Sequence, residues 1–263
     1  MLSFILALVA IAAYATSSTR LARSVVNQQV AESIGGLSAI ALAAHCIGLL
    51  VFWLEAAAID FQLLRALSLV TACAVGVLLS TKSSRSNAGL GLILQPLAII
   101  AILGEQASRL NQGAVDSVPL AVSGHVLLSV VALGLFSLAT LQALLLALQE
   151  SQIKQRKQNI LTEALPPLDS MEIYLFRLLL LGFVILSAAL ISGMAFTEDL
   201  AGQHLIHKTV LTVLAWIVMA VLLIGRRQLG WRGKTAVRYT VGGYSLLALG
   251  YFGSKFVLEF VLA

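Results

Sequence analysis

Long apolar runs recur along this chain and constrain its fold more than any other feature. A helix that crosses a bilayer needs about 20 mainly apolar residues to match roughly 30 Å of hydrocarbon. Runs of this kind, two of them short, occupy residues 2–17, 35–55, 62–81, 89–104, 119–147, 174–196, 208–225 and 239–262. Because they are continuous rather than alternating, they predict helices and not the strands of a barrel.

Composition supports this interpretation. Of the 263 residues, 59% are hydrophobic and 11% are charged, whereas soluble domains carry roughly a quarter charged residues. No linker separates two apolar blocks and no repeat of 20 to 50 residues is present. The sequence therefore predicts an all-α, polytopic membrane helix bundle of about eight transmembrane helices, in a single integral membrane domain over residues 1–263.

The basic residues predict an orientation. Cytoplasmic loops carry an excess of Lys and Arg. The loops after spans one, three, five and seven hold twelve of the seventeen basic residues: Arg20, Arg23, Lys82, Arg85, Lys154, Arg156, Lys157, Arg226, Arg227, Arg232, Lys234 and Arg238. Both termini are therefore predicted to lie outside the cytoplasm of a bacterial inner membrane. These clusters are explained by topology, so the lipid bilayer is the predicted partner and nucleic acid is not.

Two local patterns predict details of the last spans. Asp169 or Ser170 is expected to cap a helix that starts at Met171. In span eight, glycines at spacings that permit close helix contact predict packing against neighbouring helices: Gly242, Gly243, Gly250 and Gly253. Trp231, beside a cluster of basic residues, is interpreted as an interfacial anchor.

Several kinds of chemistry are not indicated. The chain has no Walker loop, no G-x-S-x-G, no H-E-x-x-H and no dinucleotide-binding glycine pattern, so it is not predicted to be an enzyme. Its carboxylates fall almost entirely in the predicted loops, which argues against a proton-coupled transporter. Cys46 and Cys73 lie in separate spans without a C-x-x-C motif, and a packing role is expected for both.

The four histidines are the informative polar residues. His45 lies halfway through span two, where an imidazole needs a partner. It is either a ligand site beside small neighbours or a member of an interhelical hydrogen bond to a backbone or hydroxyl group. His125, His204 and His207 are predicted near the outer face. Neutral imidazole can be an axial ligand to haem iron, and histidines at two depths suit a large amphipathic ligand.

A series of ordered motifs carries a specific resemblance. The motifs are Gly124-His125, FSLAT at 136–140, LPPL at 165–168, HKTVL at 207–211 followed by Ala215-Trp216, GWRGK at 230–234 and GYFGS at 250–254. This order resembles the cytochrome c assembly protein family, in the branch that includes CcsA, HemX and the inner membrane protein YpjD. The likeness runs from about residue 40 to the end and is strongest after residue 120.

The resemblance implies a haem-handling membrane protein. It matches His125 and His45 to family histidines, which makes both candidate haem-iron ligands. It also assigns the segment with His207 and Lys208 to haem binding. Basic side chains such as Lys208 and Lys255 could meet the haem propionates. The chain departs from the family pattern where a tryptophan-rich outer loop is expected, since residues 196–204 contain no Trp, and where further histidines are expected, at 224–227 and 252–255.

Two functions follow as hypotheses. The first is a non-enzymatic haem-binding or haem-transfer protein of cytochrome c biogenesis, with haem as cofactor and other assembly or haem-biosynthesis proteins as partners. The second is a regulatory or accessory membrane subunit, HemX-like or associated with ion transport, that has kept the helical scaffold and lost haem binding. The missing tryptophans and histidines favour the second hypothesis.

Overall fold

The computed structural model describes residues 1–27, 35–56, 61–80, 84–109, 120–156, 165–196, 203–253 and 256, and these residues are almost entirely helical, without a strand. The α-helices of this part are α1 (Leu2–Val26), α2 (Gly35–Ala56), α3 (Leu63–Ser80), α4 (Ser84–Arg109), α5 (Leu120–Lys154), α6 (Leu168–Phe196), α7 (Gln203–Leu229) and α8 (Gly233–Ala248). A π-helical turn over Leu249–Gly253 continues α8.

Seven of these helices, α1 to α7, are long and apolar enough within the described residues to cross a membrane. Helix α8 is shorter, with 16 residues, and the predicted eighth span continues into residues 254–263, of which only Phe256 is described. The predicted all-α, multi-pass membrane architecture is confirmed. The orientation of the termini stays a prediction.

Helices α1 and α4 are longer than the apolar runs that predicted them, and end at Val26 and Arg109. Beyond the apolar run of α1, the hydroxyls of Thr19 and Ser24 donate to carbonyls three residues earlier, at 3.0 and 2.8 Å, so these polar side chains are satisfied within the helix. At the end of α4, an ion pair of 2.6 Å joins Arg109 to Glu105, four residues earlier. Pairs at this spacing stabilise a helix, so the helix extends past the hydrophobic segment.

The described parts of residues 1–118 and 152–166 belong to one compact unit, which contains α1 to α4. Here α1 packs against α2 and α4, and α3 packs against α2 and α4. Small residues occupy these contacts: Ala10 and Ala41 are fully buried, and a Cβ on Gly48 would lie 3.4 Å from the Cβ of Leu6. Membrane helices approach closely through such residues.

The described parts of residues 119–151 and 167–263 belong to a second compact unit, which contains α5 to α8. The buried ring of Phe136 in α5 lies against Gly182 of α6, where a Cβ would come within 3.2 Å of the ring. Phe183 of α6 stacks on Trp216 of α7 with ring centroids 5.1 Å apart. Contacts of an aromatic ring with a glycine and with a second ring therefore join the helices of this unit. The single membrane domain over residues 1–263 stays a prediction.

The glycines of the last span divide into two pairs. A Cβ on Gly243 would meet the side chain of Met219 at 2.6 Å, and one on Gly250 would meet Leu211 at 3.2 Å. Among the described residues, Gly242 and Gly253 have nothing within 4 Å of a Cβ. Close packing against α7 is thus confirmed for Gly243 and Gly250, and the described residues show no such packing for the other two.

Candidate functional site

His125 lies half-buried in the first turns of α5, and its hydrogen bonds fix its tautomer. Its Nδ1 is 3.0 Å from the hydroxyl of Ser192 in α6, and that hydroxyl donates to the carbonyl of Ala189 at 2.9 Å. Because the hydroxyl proton is already used, the Ser192 oxygen accepts a proton from Nδ1. The lone pair of His125 is therefore on Nε2, the nitrogen that binds metals when the other is held by a hydrogen bond.

Gly193 allows the His125 ring to approach α6. A Cβ at Gly193 would lie 2.8 Å from Cε1 and 3.3 Å from Nδ1 of the ring. Any larger residue would push the imidazole away from Ser192. The position of the ring thus depends both on a hydroxyl and on the absence of a side chain beside it.

Gly193→Ala is expected to lower the free energy of unfolding by about 1–3 kcal/mol, the usual range for overpacking. Gly124→Ala is the matched control, since Gly124 precedes His125 in the same helix and no described residue lies within 4 Å of a Cβ placed there. The control is expected to gain about 0.5–1 kcal/mol because alanine restricts the unfolded chain. Denaturant unfolding in detergent measures both, and shifts of the same sign would contradict the prediction.

Lys208 of α7 contacts an aromatic ring of the same unit. Its ammonium group lies 5.0 Å from the centroid of the buried Tyr251 ring in the π-helical turn. A cation over an aromatic face is held by the ring quadrupole. The side chains of His207 and His204 lie outside the described part of α7.

His45 has a different environment in the unit formed by α1 to α4. It is 3% exposed, and its Nε2 lies 2.7 Å from the hydroxyl of Ser68 in α3. Ser68 donates its proton to the carboxylate of Glu105 in α4 at 2.6 Å. It follows that His45 carries its proton on Nε2 and donates it to Ser68. The interhelical hydrogen bond to a hydroxyl, one of the two alternatives for His45, is confirmed.

Glu105 and Arg65 are buried charges that the sequence did not indicate. Glu105, predicted at the edge of a loop, is 2% exposed within α4, and Arg65 of α3 is 1% exposed. The guanidinium groups of Arg65 and Arg109 lie 4.0 and 4.2 Å from the centroid of the Phe52 ring. The expectation that carboxylates stay outside the helices was wrong here, because α4 continues past its apolar run. The one signal for it was the i, i+4 spacing of Glu105 and Arg109.

A second charged cluster joins the start of α6 to the start of α8. Helix α6 begins at Leu168 rather than at the predicted Met171, because the N–H of Met171 already bonds to the carbonyl of Pro167, and proline is suited to a helix start. Asp169 and Ser170 therefore lie inside the helix, and the prediction that one of them caps it was wrong. Asp169 lies 3.4 Å from Arg232 instead.

Glu172 is the centre of this cluster. Its carboxylate accepts hydrogen bonds from Arg232 Nε at 3.0 Å and from the backbone N–H of Gly233 at 2.9 Å, and Arg226 lies 3.7 Å away. Gly233 has a φ of 50°, a conformation that favours glycine. Trp231 packs within the protein, with its ring 4.9 Å from that of Tyr239.

Glu172→Ala is expected to lower the free energy of unfolding by about 1.5–3 kcal/mol, the range for hydrogen bonds to a charged group. Asp169→Ala, which removes a carboxylate that is 86% exposed and touches the same arginine, is expected to cost no more than about 1 kcal/mol. Unfolding in detergent compares the two. Equal losses in the free energy of unfolding would show that the buried Glu172 stabilises the protein no more than the exposed Asp169.

The fold defines a multi-pass helical membrane protein, and in its described part a histidine lies within a candidate membrane span of each compact unit. A family model described as "Cytochrome C assembly protein" matches residues 35–262. The chain belongs to the cytochrome c assembly protein family.

Curated relatives match about half of the chain. "Inner membrane protein YpjD" of Escherichia coli (strain K12) is 36% identical over 137 residues, 52% of this chain and 52% of its own length. An "Uncharacterized 28.8 kDa protein in nifR3-like 5'region" of Azospirillum brasilense is 35% identical over 140 residues, with the same shares. "Protein HemX" of Brevibacillus brevis is 26% identical over 131 residues, 49% of this chain and 48% of its own length. The chain thus spans about half the length of these relatives, and no solved structure matches it.

Proposed function

We propose that this protein binds and hands on haem in cytochrome c biogenesis, without catalysing a reaction, in the inner membrane of a bacterium. The observation that carries the proposal is the tautomer of His125. Ser192 holds Nδ1 as a donor and leaves the Nε2 lone pair on a half-buried ring, which is the arrangement of a histidine that ligates iron. Family membership supports haem as the ligand.

The neighbouring residues fit an anionic, apolar ligand. Bound haem supplies an iron centre and propionate carboxylates. His125 would hold the iron through Nε2, and Lys208 carries the charge that complements a propionate. Tyr251, beneath the Lys208 ammonium, restricts where that charge can lie. His207, the residue immediately before Lys208, is proposed as part of the same site on the basis of the family match.

His45 does not fit iron ligation in the same way. Its Nε2 donates to Ser68, so only Nδ1, the nitrogen closer to the backbone, carries a lone pair. We therefore leave His45 out of the proposed haem site. This observation, together with the missing family histidines, favours the second candidate: a regulatory or accessory membrane subunit that works through protein partners.

A spectrum separates the two functions. The full chain is expressed with a haem supply, purified in detergent and examined for a Soret band. The haem-handling function predicts haem in stoichiometric amount, and a protein without haem would overturn it. The accessory function predicts a co-purifying protein, from cytochrome c assembly or haem biosynthesis, whose binding survives replacement of all four histidines.

A further inference from the structure

The buried network around His45 is more elaborate than a single imidazole needs. Three helices contribute to it: His45 from α2, Ser68 from α3 and Glu105 from α4, joined by contacts of 2.7 and 2.6 Å. Each of the three is at most 3% exposed. One hydrogen bond to a backbone carbonyl would satisfy a structural histidine. A buried carboxylate beside it has a desolvation cost that packing alone does not require.

The donors and acceptors of this network form a directed chain. Nε2–H of His45 donates to Ser68, and Ser68 donates to Glu105, which also accepts from Arg109 at 2.6 Å. At the other end, Nδ1 of His45 is buried and has no hydrogen-bond partner among the described residues. A lone pair on neutral imidazole can accept a proton. The chain therefore has an acceptor at one end and a carboxylate at the other.

We propose that His45, Ser68 and Glu105 form a proton-transfer site, in which a proton taken up at Nδ1 of His45 is passed through Ser68 to the carboxylate of Glu105. The step balances with one proton. Nε2–H is transferred to the Ser68 oxygen as the Ser68 hydroxyl proton moves to Glu105. His45 is then neutral again with its proton on Nδ1, and Glu105 is a neutral carboxylic acid.

Other buried polar groups lie in the same unit. Tyr14 of α1 contacts the His45 ring edge-on, with centroids 6.1 Å apart, and its buried hydroxyl has no partner among the described residues. One turn along α1, Ser17 bonds Ser38, which accepts from Gln95. Buried waters commonly join such unsatisfied groups. The interior of this unit thus holds buried polar groups from α1, α2 and α4 besides those of the chain from His45 to Glu105.

Protonation of Glu105 changes the charge balance of the arginines beside it. Arg109 of α4 pairs with Glu105, and Arg65 of α3 shares the Phe52 ring with Arg109. When Glu105 becomes neutral, Arg109 loses its ionic partner. Uptake of a proton inside the unit is therefore converted into an uncompensated positive charge in the last turn of α4. This inference is independent of haem and concerns residues outside the proposed haem site.

The test follows both ends of the chain in the full-length protein in detergent without haem. Infrared difference spectra record the carboxylic acid band of Glu105 during a pH titration, with Glu105→Gln to assign it. Nitrogen NMR of labelled histidine records the tautomer of His45, with His45→Gln to assign it. In wild type, the Nε2–H tautomer is expected to change to Nδ1–H with the same midpoint as the Glu105 band, because one proton changes both groups.

Ser68→Ala removes the link, and the tautomer of His45 is then expected to stay unchanged when the Glu105 band changes. Ser80→Ala is the matched control, since Ser80 lies in the same helix, is exposed and, in the part of the chain that the structure describes, bonds only the carbonyl of Val77. If Ser68→Ala does not fold, Glu105→Gln serves in its place, and the tautomer of His45 is then expected to stay unchanged. A wild-type His45 that keeps Nε2–H after Glu105 is protonated overturns the proposal. So does a His45 tautomer change that still follows the Glu105 band in Ser68→Ala, or that persists in Glu105→Gln.

Discussion

Replacing His125 with alanine is expected to weaken haem binding by more than about 100-fold, because loss of an outer partner of a metal ligand alone costs about 10–100-fold. Ser192→Ala removes that outer partner, which accepts from Nδ1, and is expected to fall within the 10–100-fold range. The measurement is a haem titration of the purified protein, followed at the Soret band. Haem affinity is thus expected to fall most when the iron ligand His125 is removed, and less when its hydrogen-bond partner Ser192 is removed.

Ser129→Ala is the control for this series. Ser129 lies one turn from His125 and bonds its backbone carbonyl at 3.0 Å, so the change affects the same turn of α5 without touching the ring. Its haem affinity is expected to equal that of wild type. A His125→Ala protein that binds haem like wild type would remove His125 from the site, and an equal loss in Ser129→Ala would show that the effect is not specific to the ring.

Replacing Glu105 with alanine is expected to lower the free energy of unfolding by about 3–5 kcal/mol, because removal of one partner of a buried ion pair leaves the other charge uncompensated. Arg109 would keep its charge in a setting where its side chain is 14% exposed. Ser68 would also lose the acceptor for its hydroxyl. Thermal or denaturant unfolding in detergent measures the loss.

Glu55→Ala provides the comparison within the same unit. Glu55 is 44% exposed and pairs with the terminal ammonium of Met1 at 3.5 Å, so its removal is expected to cost no more than about 1 kcal/mol. The prediction concerns the difference between the two variants. If Glu105→Ala were as stable as Glu55→Ala, the network would not bear on stability.

The helical membrane architecture could be predicted from the sequence because a bilayer imposes one strong requirement, that every spanning backbone group be bonded within the chain. A continuous apolar run meets this requirement by forming an α-helix. The ends of the helices were harder to predict. Hydropathy marks where the hydrocarbon ends, whereas α4 ends where Glu105 and Arg109 have completed their ion pair, five residues beyond the predicted run.

The candidate sites were predictable as residue types but not as arrangements. His45 and His125 stood out because imidazole is costly in hydrocarbon. Their difference depends on partners in other helices, Ser68 for one and Ser192 for the other. Serine is common in membrane helices, so no periodicity distinguishes a hydroxyl that orients a histidine from one that bonds its own helix. The role of Gly193 in particular depends on which ring lies beside it.

Helices α3 and α5 differ in length by almost a factor of two, with 18 and 35 residues. At 1.5 Å per residue, α3 spans about 27 Å, slightly less than a hydrocarbon core of about 30 Å. A helix this short can tilt very little without drawing its ends below the headgroups, whereas α5 can tilt freely or extend into water. Thickening the surrounding lipid should therefore strain α3 before any other described span, which makes the stability of the α1 to α4 unit sensitive to acyl-chain length.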